Sequence, residues 1–175
     1  MSEPAPRIAP GTWRETGLVP QLAARIGGRA SGTAPMALFR VLGRHRSLFL
    51  AWLPFSGRLL RGSALSRRDV ELVIVRVAHL RGCHYELDHH RGRARRLGVD
   101  PDAVAAGRVD GDRDRALLTA TEALIRDRDV DDETWATLRD HVTERAAIEL
   151  CLLAGHYDLL ATTIATLRIP RDRRR

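Results

Sequence analysis

SRRDVELVIVRVAHLRGCHYELDHH, residues 66–90, reads as two consecutive helices with a sharp break between them. Ser66 is a helix N-cap, and Asp69 places a carboxylate in the first turn, where the positive end of the helix dipole favours it. The run Val70, Leu72, Val73, Ile74, Val75, Val77 and Ala78 continues that helix toward Gly82, a residue type that readily ends one. Cys83 opens the next helix, which continues to about Leu97 and stops at Gly98. Asp100 followed by Pro101 repeats the pattern of a cap with proline in the first helical position.

Outward from there the helical spacing persists. Helices are expected over about Arg113 to Arg126 and Glu133 to His141, and Thr143 caps a last long helix that is apolar nearly all round. Upstream, the apolar residues between Met36 and Leu60 predict two helical segments, with Pro54 as a kink or a fresh start. Gly27, Gly28, Gly32 and Pro35 are expected to break any helix begun near Gln21. Strand signals are scarce, with aromatics at 5% of residues and no alternating runs. The expected fold is therefore all-α. A chain of 175 residues suits one core. The boundaries drawn are a flexible arm over 1–18, a helical domain over 19–169 and a basic tail over 170–175.

The formal charge of +7 would by itself point to nucleic acid or an anionic membrane. All 29 basic residues are Arg, however, and they alternate with acids, as in Arg126-Asp127-Arg128-Asp129, without stacking aromatics. That pattern argues against nucleic acid. Cys83 and Cys151 form no disulfide framework, the first ten residues lack the apolar core of a signal peptide, and charges interrupt the greasiest region, Ile148 to Ile169. A cytoplasmic protein outside the membrane is expected.

On one helix, Cys83, Glu86 and His90 fall within about 60° of each other, while His89 points away. A thiol at a helix N-terminus beside Arg81 sits where a thiolate is favoured. A carboxylate four residues before an imidazole can hold and charge it for proton transfer. Glu71, inside an apolar run, would have a raised pKa if buried and could act as acid or base. The same spacing also fits an inert buried cysteine, a surface Glu86 and His90 pair, and a Glu71 that merely neutralises an arginine. Glu86-x-x-His89 has di-iron spacing, but no second such motif accompanies it, so no metal is expected.

These residues resemble the carboxymuconolactone decarboxylase family, which includes the alkyl hydroperoxidase D proteins, over about Ser47 to Leu167. The helix from Ser66 to Ala78 resembles the one that leads into the family's site. Tyr85-Glu86 with His90 resembles its signature, and the stretches from Ala116 to Leu118, Thr134-Trp135, Glu149-Leu150 and Gly155-His156-Tyr157 resemble the C-terminal half of its decarboxylase-like branch. The resemblance implies a helical bundle of the alkyl hydroperoxidase D type, assembled as a trimer or hexamer. In the hydroperoxidase branch Glu71, Cys83 and His90 match a glutamate, the first of two cysteines and a histidine. Glu86 stands where the second cysteine would be, so that disulfide cannot form. In the decarboxylase branch a glutamate is usual there, although a tryptophan is common where Leu87 stands and a thiol is often missing at Cys83.

The implied activity is cofactor-independent acid/base chemistry on a small unsaturated lactone or keto acid, with catalytic Glu71, Glu86, His90 and Cys83. Arg76, Tyr85 and Arg81 would bind the substrate, the arginines by holding its carboxylate. The alternatives are a single-cysteine peroxidase using Cys83 and a non-catalytic helical oligomer.

Overall fold

The computed structural model describes residues 5–174, so residues 1–4 of the expected arm and Arg175 of the tail lie outside it. About 71% of the chain is helical, and the described residues contain no strand beyond one isolated bridge between Thr33 and Arg174. In chain order the helices are α1 (Trp13–Thr16), α2 (Leu18–Ser31), α3 (Ala37–Leu42), α4 (Arg46–Arg61), α5 (Arg67–Leu80), α6 (His84–Arg96), α7 (Pro101–Ala105), α8 (Asp112–Arg126), α9 (Asp132–His141) and α10 (Glu144–Leu167). The chain groups into two compact units, 57–161 and 1–56 together with 162–175, whose boundaries fall within α4 and α10.

In the unit over 57–161, α5 is the central helix. It packs against α6, α7 and α8, and α9 packs on α8. Val70, Leu72, Val73, Ile74, Val75 and Val77 are fully buried, so this helix has no solvent face over two turns. Five of those six side chains are β-branched, which lowers intrinsic helix propensity by a few tenths of a kcal/mol each. Burial contributes about 2 kcal/mol for each such side chain and outweighs that cost. Ser66 and Asp69 form a reciprocal capping box that starts the helix, as the sequence predicts. Gly82, at φ 60°, makes the turn into α6 in the left-handed region that glycine enters without strain.

A second anchor was not legible in the sequence. The Glu149 carboxylate of α10 accepts hydrogen bonds from the Ser63, Ala64 and Leu65 amides at 2.7–3.2 Å and from the Ser63 hydroxyl at 2.9 Å. This clamp holds the turn that delivers Ser66 to the start of α5.

In the other unit the helix-breaker expectations hold in part: Gly32, at φ 71°, ends α2, while the breaks expected at Gly27 and Gly28 and a fresh start at Pro54 are not seen. Gly27 and Gly28 lie inside α2, which runs unbroken to Ser31. A Cβ on Gly28 would meet the Ala34 carbonyl oxygen at 2.3 Å, so this glycine permits a close backbone approach instead of ending the helix. Pro54 lies within α4, and the break between the two predicted segments falls at Gly43 to His45. Pro54 and Leu50, whose carbonyl loses its helical donor to the proline, are both exposed residues. Near the C-terminus the Asp172 carboxylate accepts from the Ala37 amide at 2.9 Å, and the Ala34 amide donates to the Arg173 carbonyl at 2.9 Å.

α10 is long and apolar enough to cross a membrane by length and composition, although Glu149 and Asp158 interrupt it. One side of it, including Leu150, Leu153 and Ala154, is fully buried in the protein.

Candidate active site

Glu71, near the start of α5, is 1% exposed, and Glu86 and His90, one turn apart on α6, are 4% and 5% exposed. Packing α6 on α5 brings the three together. His90 Nδ1–H donates to Glu71 Oε2 at 2.7 Å, and His90 Nε2 lies 3.4 Å from Glu86 Oε2. Tyr157 of α10 completes the ring of contacts, with its hydroxyl 3.4 Å from the same Nε2 and its ring edge-on to the imidazole at 5.4 Å and 89°. The other Glu86 oxygen, Oε1, is buried without a hydrogen-bond partner among the described residues.

The charges of the three are coupled. Burial alone would raise the Glu71 carboxyl, but the bonded His90 and the guanidiniums of Arg93 and Arg96 outweigh it and hold Glu71 below the usual carboxylate range. The sequence-based expectation of a raised Glu71 is therefore reversed, because burial came with cations attached. Burial would lower His90, yet Glu71 and Glu86 together push it up to about 9. At neutral pH His90 is therefore an imidazolium, bonded to Glu71 and 3.4 Å from Glu86.

Cys83 also departs from expectation. Its thiol does meet the Tyr85 and Glu86 amides at the start of α6, but burial and the Glu86 carboxylate prevail and push it up to about 11. A thiolate is disfavoured there. Both cysteines are free, Cys83 buried and Cys151 exposed.

Neither arginine expected to bind a substrate anion lines the cavity beside Glu71. Arg76 is buried, with Nη1 donating to the Val104 and Ala105 carbonyls at 3.2 and 2.6 Å and Nη2 to Glu122 at 2.6 Å. Arg81 is tied to Asp158 and to the Ile125 carbonyl. Tyr85 is buried with its ring 4.7 Å from that of His89, so His89 is packing against it rather than facing solvent.

The cations instead come from α4, the start of α5 and the end of α6. A cavity of about 380 Å³ is walled by Leu60, Arg61, Arg67, Arg93 and Arg96, with Glu71 on its inner side. Arg93 Nε bonds the Glu71 oxygen that His90 leaves free, at 3.0 Å. Arg61 and Arg67 form no ion pair among the described residues. Sequence reasoning missed these arginines because the chain is full of Arg and nothing local separates a cavity wall from a solvated surface. It also passed over Tyr157 as a site residue, although His156-Tyr157 is a polar pair inside an otherwise apolar helix and carries a signal.

Residues 47–125, which span both helices of the cluster, match the sequence profile of the Carboxymuconolactone decarboxylase family. Over this segment the chain is similar to the carboxymuconolactone decarboxylase family. An uncharacterized protein of Bacillus subtilis (strain 168), YdfG, is 28% identical over 99 residues, covering 52% of this chain and 67% of its own. The fold resembles the alkylhydroperoxidase AhpD core of an uncharacterized peroxidase-related protein from Ralstonia eutropha JMP134, at a TM-score of 0.82 and 17% identity over 97% of this chain and 94% of that one. It also resembles the debrominase Bmp8, at a TM-score of 0.78 and 17% identity over 94% and 91% of the two chains. At these identities the likeness is one of fold. The matched segment contains Glu71, Cys83, Glu86, His90 and the four cavity arginines, whereas Glu149 and Tyr157 lie beyond it.

Proposed function

We propose that this protein is a cofactor-independent proton-transfer enzyme, a lyase or isomerase acting on a small unsaturated lactone or keto acid. The observation that carries this reading is the His90 imidazole held between two buried carboxylates, one of which, Glu71, faces a cavity walled by arginines. The guanidiniums of Arg61, Arg67 and Arg96 would hold the substrate carboxylate, in the role first expected of Arg76 and Arg81. Glu71 touches the substrate, and His90 stands behind it as the proton reservoir. In a decarboxylation the C–C bond to the carboxylate breaks, its electron pair enters the conjugated system, and CO₂ leaves. Glu71 then passes to the resulting carbanionic carbon the proton that His90 supplies, and water recharges His90. At pH 7 a histidine held up to about 9 is loaded for this donation.

A second reading uses Cys83 as a single reactive thiol; the fold likeness to the alkylhydroperoxidase AhpD core supports it, while burial and the Glu86 carboxylate, which hold the thiol up to about 11, count against it. The two part on a pair of variants assayed against unsaturated lactone and keto acids and, separately, against hydrogen peroxide. The acid/base reading expects His90→Ala to abolish turnover with helical content intact and Cys83→Ser to stay nearly normal. Peroxide consumption that disappears in Cys83→Ser would establish the thiol reading instead.

A homo-oligomer, a trimer or hexamer by the resemblance, is part of the same proposal. Its support is an exposed apolar stripe on α10, where Ile148, Leu152 and Leu159 are 56%, 49% and 57% exposed at helical spacing. A second copy of the chain is the partner proposed for it.

A further inference from the structure

We propose that Tyr157 is a positioning residue for His90: its hydroxyl donates to Nε2 of the neutral imidazole and so fixes the remaining ring proton on Nδ1, against Glu71. The functional meaning of this assignment rests on the acid/base reading above, while its existence rests on geometry. The Tyr157 hydroxyl lies 3.4 Å from His90 Nε2, the two rings are edge to face, and both residues are buried. Nδ1 is committed to Glu71 at 2.7 Å.

A neutral imidazole has one donor and one acceptor nitrogen. A carboxylate can only accept, so Nδ1 must be the donor and Nε2 the acceptor. Of the two groups 3.4 Å from Nε2, Glu86 as a carboxylate cannot donate and Tyr157 can. When His90 is protonated the preference inverts, because Nε2–H then donates and the Glu86 carboxylate is the charge-assisted acceptor. Tyr157 and Glu86 therefore favour opposite protonation states of one nitrogen.

The groups that set the charge around His90 come from three helices: Glu71 from α5, Glu86 and Arg93 from α6, and Tyr157 from α10, with the His156 ring edge-on behind the tyrosine at 5.5 Å. Burial, with Glu86 and Glu71 nearby, raises the Tyr157 hydroxyl well above its ordinary value, so it remains a donor across the range in which His90 titrates.

The test reads the imidazole directly, by NMR titration of ¹⁵N-histidine-labelled full-length protein. In Tyr157→Phe the neutral form loses its donor, so the His90 midpoint should rise by roughly half to one pH unit. The Nε2 signal of the neutral form should also move toward that of an unbonded imidazole nitrogen. Glu86→Gln should move the midpoint the opposite way. Because Tyr157→Phe could lose stability, 3-fluorotyrosine incorporation provides a second route; the chain has two tyrosines, and the more acidic phenol should lower the midpoint. An unchanged midpoint and Nε2 signal in either form would overturn the assignment, since a tyrosine that merely fills space would move neither. The readout needs no substrate, so turnover retained in His90→Ala would reject the acid/base reading and leave the titration result standing.

Discussion

His90 is the residue whose protonation couples the site to the stability of the fold. Its folded pKa, about 9, lies above the ordinary 6.5, so the stabilisation from its carboxylate partners is complete below about pH 6.5 and is lost as pH rises toward about 9. Glu71 works in the other direction: its folded pKa is depressed, so its contribution is present above the ordinary carboxylate range and lost as pH falls through the lowered value. Cys83, held up to about 11, adds its own loss only above about pH 9. Thermal melts should therefore show the melting temperature falling between pH 6.5 and 9, and His90→Gln should flatten that slope. A variant with an undiminished slope would place its origin elsewhere. Arg76 makes a different prediction, because its partners are structural. Arg76→Met should destabilise the fold by about 3 kcal/mol, as expected for breaking a buried ion pair, while leaving KM unchanged in the protein that folds. A large rise in KM with normal stability would restore Arg76 as an anion ligand.

Among the elements, α5 and α6 are the most legible in the sequence. The capping box at Ser66, the glycine turn at Gly82 and the apolar run between them are local signals, and local chemistry is enough to start and stop a helix. The failures at Gly28 and Pro54 share a cause. Each residue weakens a helix in isolation, but the close approach of the Ala34 backbone needs the missing side chain of Gly28, and Pro54 sits in an exposed stretch of α4. α10 reads from sequence as a greasy rod, yet it sends Glu149 to the turn before α5 and Tyr157 to His90. Glu149→Gln keeps the shape and removes the charge that four donors share. It should cost about 2 kcal/mol in denaturant unfolding and slow turnover through misplacement of α5. Unaltered stability would mean that the turn is held by other contacts.

For the molecule as a whole, the exposed stripe of Ile148, Leu152 and Leu159 matters most, because an apolar face of that size on a long helix is an association surface or a solubility liability. Leu152→Glu should convert an oligomer to a smaller species in sedimentation velocity with the helical signal retained. A wild-type chain that sediments as a monomer at all concentrations would remove the proposed interface. The sequence by itself determined the all-helical class, the starts of α5 to α10 within a residue or two, and the grouping of Glu71, Glu86 and His90. Those follow from periodicity, caps and the family resemblance, which act along the chain. Only the tertiary structure decided the charges within the cluster and the cations around it. Whether burial raises Glu71 or neighbours lower it, whether Cys83 becomes a thiolate, and whether Arg76 or Arg93 faces the cavity depend on which side chains packing brings within a few ångströms. Electrostatic energies at such distances change sign with a partner's identity, and no spacing along the chain encodes a partner contributed by another helix.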